Sequence, residues 1–371
     1  MLQILHSIKD IDPIDWASIQ DPNFPFSSYG FLLAMEESQS LGKRTGWFPL
    51  FITLRENDKL SGAMYLYLKT NSHGEYIFDW AWADAWQKNG LSYYPKLTAA
   101  IPFTPATGPK ILVADSEQKT TISKRLIQEA LKFCQTENIQ TAHFLFIPKS
   151  EVELFSRENL SIRHTYQYHW HNNNYDCFDD FLMALKQKKR KEIRRERKLL
   201  DKSVIIHEVT GSAVGEYADL MYEFYLSTID KKFSHDYLTP EFFKMIFKDC
   251  QENILLYLAE KDGEFIAGTL NFKKGKTLFG RYWGSTEEIP NLHFELCYYK
   301  PIEYAIKHKM TLFEAGAQGE HKVQRGFIPS ITYSAHYLPD HELGDAVRNF
   351  ITREAEQLSH FIEKGPGMVY K

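Results

Sequence analysis

The sequence predicts an α/β protein of two similar domains, each with a mixed, mainly antiparallel sheet flanked by helices. The 371 residues suit two domains, and 43% hydrophobic with 25% charged residues is typical of globular proteins. Both halves repeat one order of predicted elements: helices, an antiparallel meander, a helix or polar loop, and closing strands. A strand, a helix and a strand also follow one another from Thr277 to Ser330, as in a βαβ unit. We therefore expect domains at residues 1–165 and 166–371.

The first half opens with a strand-like segment over residues 1–10 and a helix over 29–38. Runs of β-branched and aromatic residues then predict a meander of strands at 48–55, 60–68 and 75–81, with a turn at Asn57-Asp58. The segment IPFTPATGP, Ile101 to Pro109, can be neither helix nor central strand because its prolines break both. After this loop we expect a helix, a strand, a short helix and a strand, at 117–137, 141–147, 149–158 and 162–170.

The second half begins with a helix over residues 178–200. A hairpin turn at Asp262-Gly263 joins two strands, and a helix follows that carries Phe294, Tyr298 and Ile302 on one face. The remaining expected elements are strands at 203–209, 253–260, 264–274, 311–313 and 331–338 and helices at 213–229, 239–249 and 341–363.

Several classes of protein are excluded by what the sequence lacks. No run of 18 apolar residues is present, so no transmembrane helix is expected. The first residues carry acids and no long apolar segment, so we expect no signal peptide. The four cysteines lie far apart without metal-type spacing, which predicts reduced thiols in a cytoplasmic protein and no metal site. Nothing in the sequence indicates the oligomeric state.

The loop after the strand at 311–313 combines glycines with acids, bases and cations. Glycine lets the backbone fold back over the strand end, where α/β proteins place their chemistry. The alternative is a solvated surface loop. The site residues expected in this loop are Glu314, Gln318, Gly319, His321, Lys322 and Arg325.

These residue types can accept a proton and bind an anion. A proton transfer needs a group that accepts the proton, and an anionic intermediate needs donors that stabilise it. Lys322 and Arg325 suit an anionic carbonyl, phosphate or carboxylate. Candidates for the proton acceptor are the carboxylates Glu295 and Glu314 and the imidazoles His293 and His321, and the sequence does not choose among them.

Two further groups of residues are candidates for binding a substrate. Arg281 and Tyr282 lie on the strand before the helix, where alternation places one of them toward the cleft and the other in the core. In the first half, the candidates for holding a substrate are Asp79 and Trp80 with Lys96, Thr104 and Thr107.

The segment KQKKRKEIRRERK, residues 186–198, holds nine Lys or Arg against two Glu, a net charge of +7 in a chain of −4. On a helix, Lys186, Arg190, Arg194 and Lys198 form one stripe. One interpretation is a solvated helix face. The other is a site for a polyanion, such as a nucleotide pyrophosphate, tRNA or acidic lipid head groups, with Arg190 and Arg194 as contacts.

The basic helix has Arg190, Ile193 and Arg194 in R-x-x-I-R spacing, and four other motifs are DWAWADAW, IPFTPATGPK, LHFELCYY and EAGAQGEHKVQRGF. Together these motifs resemble the FemAB-like family of the GNAT (acyl-CoA N-acyltransferase) superfamily, which is associated with peptidoglycan biosynthesis or recognition. The resemblance covers nearly the whole chain and implies two tandem GNAT-like domains. In one departure, Thr286 stands where the GNAT pyrophosphate signature has Gly or Ala.

The resemblance implies an N-acyltransferase that moves an acyl or aminoacyl group to an amine of a cell-wall precursor or peptide. The donor is then an acyl-CoA or an aminoacyl-tRNA. A non-catalytic module that binds a polyanionic or peptidoglycan-related ligand is the alternative.

Overall fold

The computed structural model describes residues 1–232, 235–317 and 319–371. These form two compact units. Unit 1 comprises residues 1–166 and 331–360, and unit 2 comprises residues 167–330 and 361–371. The chain passes from unit 1 into unit 2 near residue 165, where the domain boundary is expected. It returns to unit 1 for residues 331–360, which were expected in the second domain, because the strand in that segment pairs within unit 1.

The strands of unit 1 include two short ones, at residues 96–99 and 111–113, that the sequence analysis did not predict. The strands of this unit are β1 (Leu2–Leu5), β2 (Trp47–Glu56), β3 (Lys59–Lys69), β4 (Lys96–Ala99), β5 (Ile111–Val113) and β6 (Ala142–Ile147). Two strands have residues in both units: β7 (Ser161–His171) and β13 (Ile328–Tyr337). Those of unit 2 are β8 (Ile205–Thr210), β9 (Ile254–Lys261), β10 (Glu264–Lys274), β11 (Thr277–Ser285) and β12 (Leu312–Glu314).

The helices of unit 1 are α1 (Pro13–Ile19), α2 (Tyr29–Glu37), α3 (Trp80–Lys88), α4 (Lys119–Thr136) and α5 (Val152–Arg157). Those of unit 2 are α6 (Phe178–Ala184), α7 (Gln187–Lys198), α8 (Ala218–Lys232), α9 (Pro240–Asp249), α10 (Leu292–Phe294) and α11 (Lys300–Lys307), with a π-helical turn at Glu295–Tyr299 between the last two. The long helix α12 (Glu342–Val369) has residues in both units. Short 3-10 helices lie at Ile8–Asp10, Pro25–Ser27, Lys149–Glu151, Gly211–Tyr217, Gln251–Asn253 and Glu320–Arg325.

Tight hairpins form where the sequence predicts them. Asn57 and Asp58 have φ of 50° and 62°, and Asp262 and Gly263 have φ of 53° and 84°. Two successive residues with positive φ make the turn whose twist matches antiparallel strands. The β2–β3 and β9–β10 hairpins are therefore confirmed.

The two units repeat one topology. In unit 1 the strand order is β1-β2-β3-β4-β6, with β4 and β6 parallel and α4 between them in sequence. In unit 2 the order is β8-β9-β10-β11-β12, with β11 and β12 parallel and the helix ending in α11 between them. Each series is completed by a strand from the other half of the chain: β13 pairs with β6, and β7 pairs with β12.

Each unit has its own apolar core. In unit 1, Ile122, Leu126 and Ala130 on one face of α4 pack against the inner residues of the sheet, such as Leu50 and Phe144. In unit 2, the core lies around α11 and includes Ile302, Ile306, Phe313, Trp170 and Phe327. These cores fix the ends of β11 and β12, where the candidate site lies.

Three expected elements differ in the structure. Residues 75–79 are irregular rather than a strand, because Glu75 and Asp79 turn inward to bond Lys96. The expected helix at 178–200 breaks between α6 and α7, where the Lys186 amide donates to the carbonyl of Val369 instead of within a helix. The last helix continues through Pro366 to Val369 rather than ending near residue 363.

Candidate active site

The parallel strands β11 and β12 pair over a short stretch that ends with β12. They pair from Thr277 opposite Leu312 to Phe279 opposite Glu314, where β12 ends. The adjoining β10–β11 ladder shifts register so that Arg281 is an extra residue in β11, a β-bulge. Arg281 and Tyr282 are both half-buried, so the expectation that one of them is core is wrong, because the bulge interrupts the alternation of side chains.

A buried carboxylate stands at the end of β12. Glu314 is 2% exposed and lies directly opposite His169 of β7 in the antiparallel ladder. Burial lowers the pKa of His169 to about 3, and the positive charges of His171 and Lys322 act in the same direction. His169 is therefore neutral at physiological pH. Local sequence gives no reason to single out His169, because its importance comes from pairing with a strand far along the chain.

The 3-10 helix Glu320–Arg325 positions the cations and the histidine of the loop. Lys322 is buried, and its ammonium donates to the carbonyl of Gly316 at 2.8 Å. Gly316 approaches β11, since a Cβ built on it would lie 3.9 Å from the carbonyl oxygen of Gly280. The loop thus folds back over the strand ends and brings Lys322 with it.

His321 is held between aromatic side chains. Its Nε2 lies 2.8 Å from the Tyr298 hydroxyl, and its ring centroid lies 6.0 Å from that of His293. Burial lowers the pKa of His321, aided by the charges of Arg325 and Lys322. Gly319, with φ of 120°, is required here because a Cβ would come within 2.6 Å of the His321 ring. The two imidazoles that the sequence analysis proposed, those of His293 and His321, lie close together.

Arg325 joins this loop to the basic helix α7. Its guanidinium donates to Glu196 at 2.6 Å and to the carbonyl of His321 at 2.8 Å, and it stacks 3.3 Å from the centre of the Phe294 ring. Arg325 thereby fixes the loop rather than pointing into open space.

Glu295 lies in the π-helical turn and faces α7. Its two oxygens accept hydrogen bonds from Arg197 at 2.7 and 3.0 Å, and Arg197 also bonds Glu303 at 2.6 Å. Burial raises the pKa of Glu295, and the charge of Arg197 opposes that rise. Glu295 is therefore in an ion pair with Arg197 of α7. The hydrogen bond that positions His321 comes from a different residue, Tyr298.

Arg190 and Arg194 lie on the surface of α7. One nitrogen of Arg190 is 3.3 Å from the sulfur of Met183, and Arg194 pairs with Asp179 at 3.0 Å. The expected Gln318 lies outside the described residues.

The candidates in unit 1 form a separate buried cluster around Lys96. The Lys96 ammonium donates to Ser72 and Glu75, both at 2.8 Å, and to Asp79. Burial would raise the pKa of Asp79, but the charge of Lys96 and the hydrogen bond that Lys96 donates lower it to about 2. The loop before β5 holds the other two candidates: Thr104 is buried and Thr107 half-buried.

A cavity of about 670 Å³ lies in unit 2 beside the last residue of β7. His171 contributes to its wall, and the His171 ring lies 6.3 Å from that of His169. The cavity thus adjoins the strand that faces Glu314. Its lining residues are His171, Asn173, Tyr175, Ala184, Ile328, Pro366, Tyr370 and Lys371.

The arrangement at the end of β12 is compatible with acyl chemistry. It combines a buried carboxylate, an exposed imidazole with a lowered pKa and a buried ammonium on one short segment. Among the described helices, none is long and apolar enough to cross a bilayer.

Known proteins share this architecture. FemX is 12% identical with a TM-score of 0.54, over 93% of this chain and 100% of that one. L-PGS from Bacillus licheniformis is 10% identical with a TM-score of 0.51, over 86% of this chain and 94% of that one. These likenesses confirm the predicted α/β fold class. A comparison with curated proteins found no match. The model of the FemAB-like family, described as peptidoglycan biosynthesis/recognition, matches residues 7–367, and the chain therefore belongs to that family.

Proposed function

We propose that this protein transfers an acyl or aminoacyl group to an amine of a peptidoglycan precursor. Membership of the FemAB-like family supports the peptidoglycan context. The observation that supports the reaction is that Glu314 ends β12 and that the 3-10 helix after it carries His321 and Lys322, whose ammonium donates to the carbonyl of Gly316.

Each of these side chains has a role in the proposed transfer. The acceptor amine arrives as an ammonium ion, which the buried carboxylate of Glu314 attracts. His321, neutral because burial and two cations lower its pKa, accepts the proton and frees the amine. The amine nitrogen then bonds to the acyl carbon, and Lys322 stabilises the oxyanion. The carbon–oxygen or carbon–sulfur bond to the donor then breaks, and the leaving atom takes the proton held by His321. The new amide nitrogen loses its second proton to the freed imidazole, which releases it to solvent.

The hydrogen bonds after the bulge in β11 favour an aminoacyl ester over acyl-CoA as the donor. GNAT enzymes use backbone amides at this point to hold the CoA pyrophosphate. Here the Ser285 amide donates to the hydroxyl of Ser227 at 3.1 Å, and the Thr286 amide donates to the carbonyl of Ile266 at 2.9 Å. Both amides are already engaged, and Thr286 replaces the small residue of the usual signature. An aminoacyl-tRNA supplies the ester without needing this pyrophosphate site.

Transfer can be measured by incubating the full chain with a UDP-linked muropeptide and either aminoacyl-tRNA or acetyl-CoA. Mass spectrometry should detect an added aminoacyl group. Lys322→Met and Glu314→Gln should each lower the rate by about 10²-fold or more. Lys248→Met, which changes an exposed lysine of α9, should leave the rate unchanged.

The same variants distinguish transfer from recognition alone. A thermal shift with the muropeptide and no product with either donor would reject transfer and favour a binding module. Loss of activity in strict proportion to loss of folded protein would instead make Glu314 and Lys322 structural.

A further inference from the structure

The outward face of α7 carries a stripe of cations. Ile193 and Glu196 point inward and are 1% and 7% exposed, so the opposite face of the helix meets solvent. The exposed residues on that face are Lys188, Lys191, Arg195 and Lys198, spaced by three, four and three positions. Of the expected stripe, Lys186, Arg194 and Lys198 are exposed and Arg190 is half-buried. The stripe from Lys188 to Lys198 extends over about 15 Å of helix.

Most of this charge is not neutralised by the protein. Arg195 pairs with Glu192 at 2.6 Å. Among the described residues, no carboxylate forms an ion pair with Lys188, Lys191 or Lys198. The segment 186–198 carries +7 while the whole chain carries −4, so the rest of the chain carries −11. An anionic surface would attract this face and repel the remainder of the protein, which would orient the molecule.

Exposed aliphatic side chains lie close to α7. Leu199, at the end of α7, is 62% exposed, and Met183, which touches Arg190, is 51% exposed. Met368 is also exposed, and the carbonyl of neighbouring Gly367 accepts a hydrogen bond from Lys186 at the start of α7. Cations beside exposed aliphatic groups are typical of a helix that lies in a membrane interface.

The same surface lacks the feature that single-stranded nucleic acid needs. The large apolar side chains exposed in the described part of unit 2 are Met183, Leu199, Ile205 and Met368, and none is aromatic. Binding of bases by stacking requires exposed rings.

The helix is held rigidly beneath its exposed stripe. Glu196 bonds Arg325, and Arg197 bonds Glu295 and Glu303. The cations are therefore presented on a fixed backbone, so the cost of ordering the surface on binding is small. Through Arg325 the helix is also fixed to the loop that carries His321 and Lys322.

We propose that α7 docks this protein on a membrane surface rich in anionic lipid. Lys188, Lys191 and Lys198 contact headgroup phosphates, while Leu199 and Met183 enter the interface. This inference concerns location on a surface and stands independently of the transfer reaction.

Flotation of the full chain with vesicles tests the proposal. The protein should bind vesicles of equimolar phosphatidylglycerol and phosphatidylcholine, should not bind phosphatidylcholine alone, and should be released by high salt. Changing Lys188, Lys191 and Lys198 together to Glu should lower binding by about tenfold or more. A matched triple variant of exposed lysines elsewhere, Lys43, Lys248 and Lys276 to Glu, should bind nearly as well as the wild type.

Three outcomes would overturn the proposal. The first is absence of binding to anionic vesicles, and the second is equal loss of binding in the two triple variants at unchanged melting temperature. The third is binding of bulk tRNA through the same lysines without binding to vesicles, which would identify a nucleic acid as the partner. Met183→Ser with Leu199→Ser should weaken vesicle binding, and unchanged binding would reject insertion into the interface.

Discussion

Arg325 donates to Glu196 at 2.6 Å, and the two side chains are 5% and 9% exposed. Arg325 belongs to the candidate active loop, and Glu196 belongs to the basic helix. The hydroxyl of Tyr299 also donates to Glu196. One buried carboxylate therefore holds a cation from the loop and a phenol from the π-helical turn.

Removing one partner of this pair should destabilise the protein strongly. Arg325→Met leaves Glu196 buried without its cation, and we expect a loss of about 3–5 kcal/mol in the free energy of unfolding. Urea denaturation measures this. Asp179→Asn is the matched control, because the Arg194–Asp179 pair is exposed, and such pairs contribute about 0–1 kcal/mol. Equal effects of the two substitutions would contradict a structural role for the buried pair.

Gly326 should not tolerate a side chain. Its φ is 92°, and a Cβ would come 2.5 Å from the buried ring of Phe181. Gly326→Ala should therefore cost both backbone strain and a steric clash. Gly263→Ala supplies the control, since Gly263 has φ of 84° and a Cβ at that position would have no neighbouring atom within 4 Å. We expect Gly326→Ala to be less stable than Gly263→Ala by about 1–3 kcal/mol, and similar melting temperatures would exclude the clash.

Acid should destabilise unit 1 through His143. Burial, followed by the charges of Lys96 and Arg163, lowers the pKa of His143 to about 3, and Asp79 only partly opposes this. Below pH 6.5 the unfolded chain gains a proton that the folded chain does not bind. The stability from neutral His143 is therefore present above pH 6.5 and is lost as pH falls toward 3. His143→Asn should flatten the dependence of unfolding free energy on pH in that range. Substitution of exposed His360 is the control for the loss of a surface histidine. If the free energy of unfolding has the same slope against pH in His143→Asn and in the wild type, His143 is not the origin of the loss of stability in acid.

The pH profile of the proposed transfer should reflect His321. Because burial and two cations lower the pKa of this imidazole, the acid limb of kcat/KM should lie below pH 6.5. His321→Gln should remove that limb and lower kcat by about 10²- to 10⁴-fold. Initial rates across a pH series measure both effects. If the pH profile of His321→Gln is unchanged, a group other than His321 is the base.

Features with local sequence signals were predictable. The Asn57-Asp58 and Asp262-Gly263 turns have the residue types that positive φ favours, and both hairpins form. The glycines after Glu314 indicated a loop that folds back, and the structure brings Lys322 to Gly316.

Features that depend on distant contacts were not predictable. Leu185 and Lys186 lie in a segment with good helix-forming residues, yet a bridge to Tyr370 and a hydrogen bond to Val369 break the helix there. His169 gains its importance only from lying opposite Glu314. Glu295 is turned toward α7 because Arg197 competes for its carboxylate.

The pairing of β13 with β6 has a consequence for synthesis on the ribosome. When β6 has emerged, the strand that covers its free edge has not yet been made. At an elongation rate of ~5–20 residues per second, the edge of β6 stays unpaired for roughly 10–40 s before β13 has been synthesised. An open strand edge is a template for pairing with other chains. Nascent chains of this protein should therefore depend on chaperones during that interval, and mutations that slow elongation between the two strands should raise aggregation without altering the finished fold.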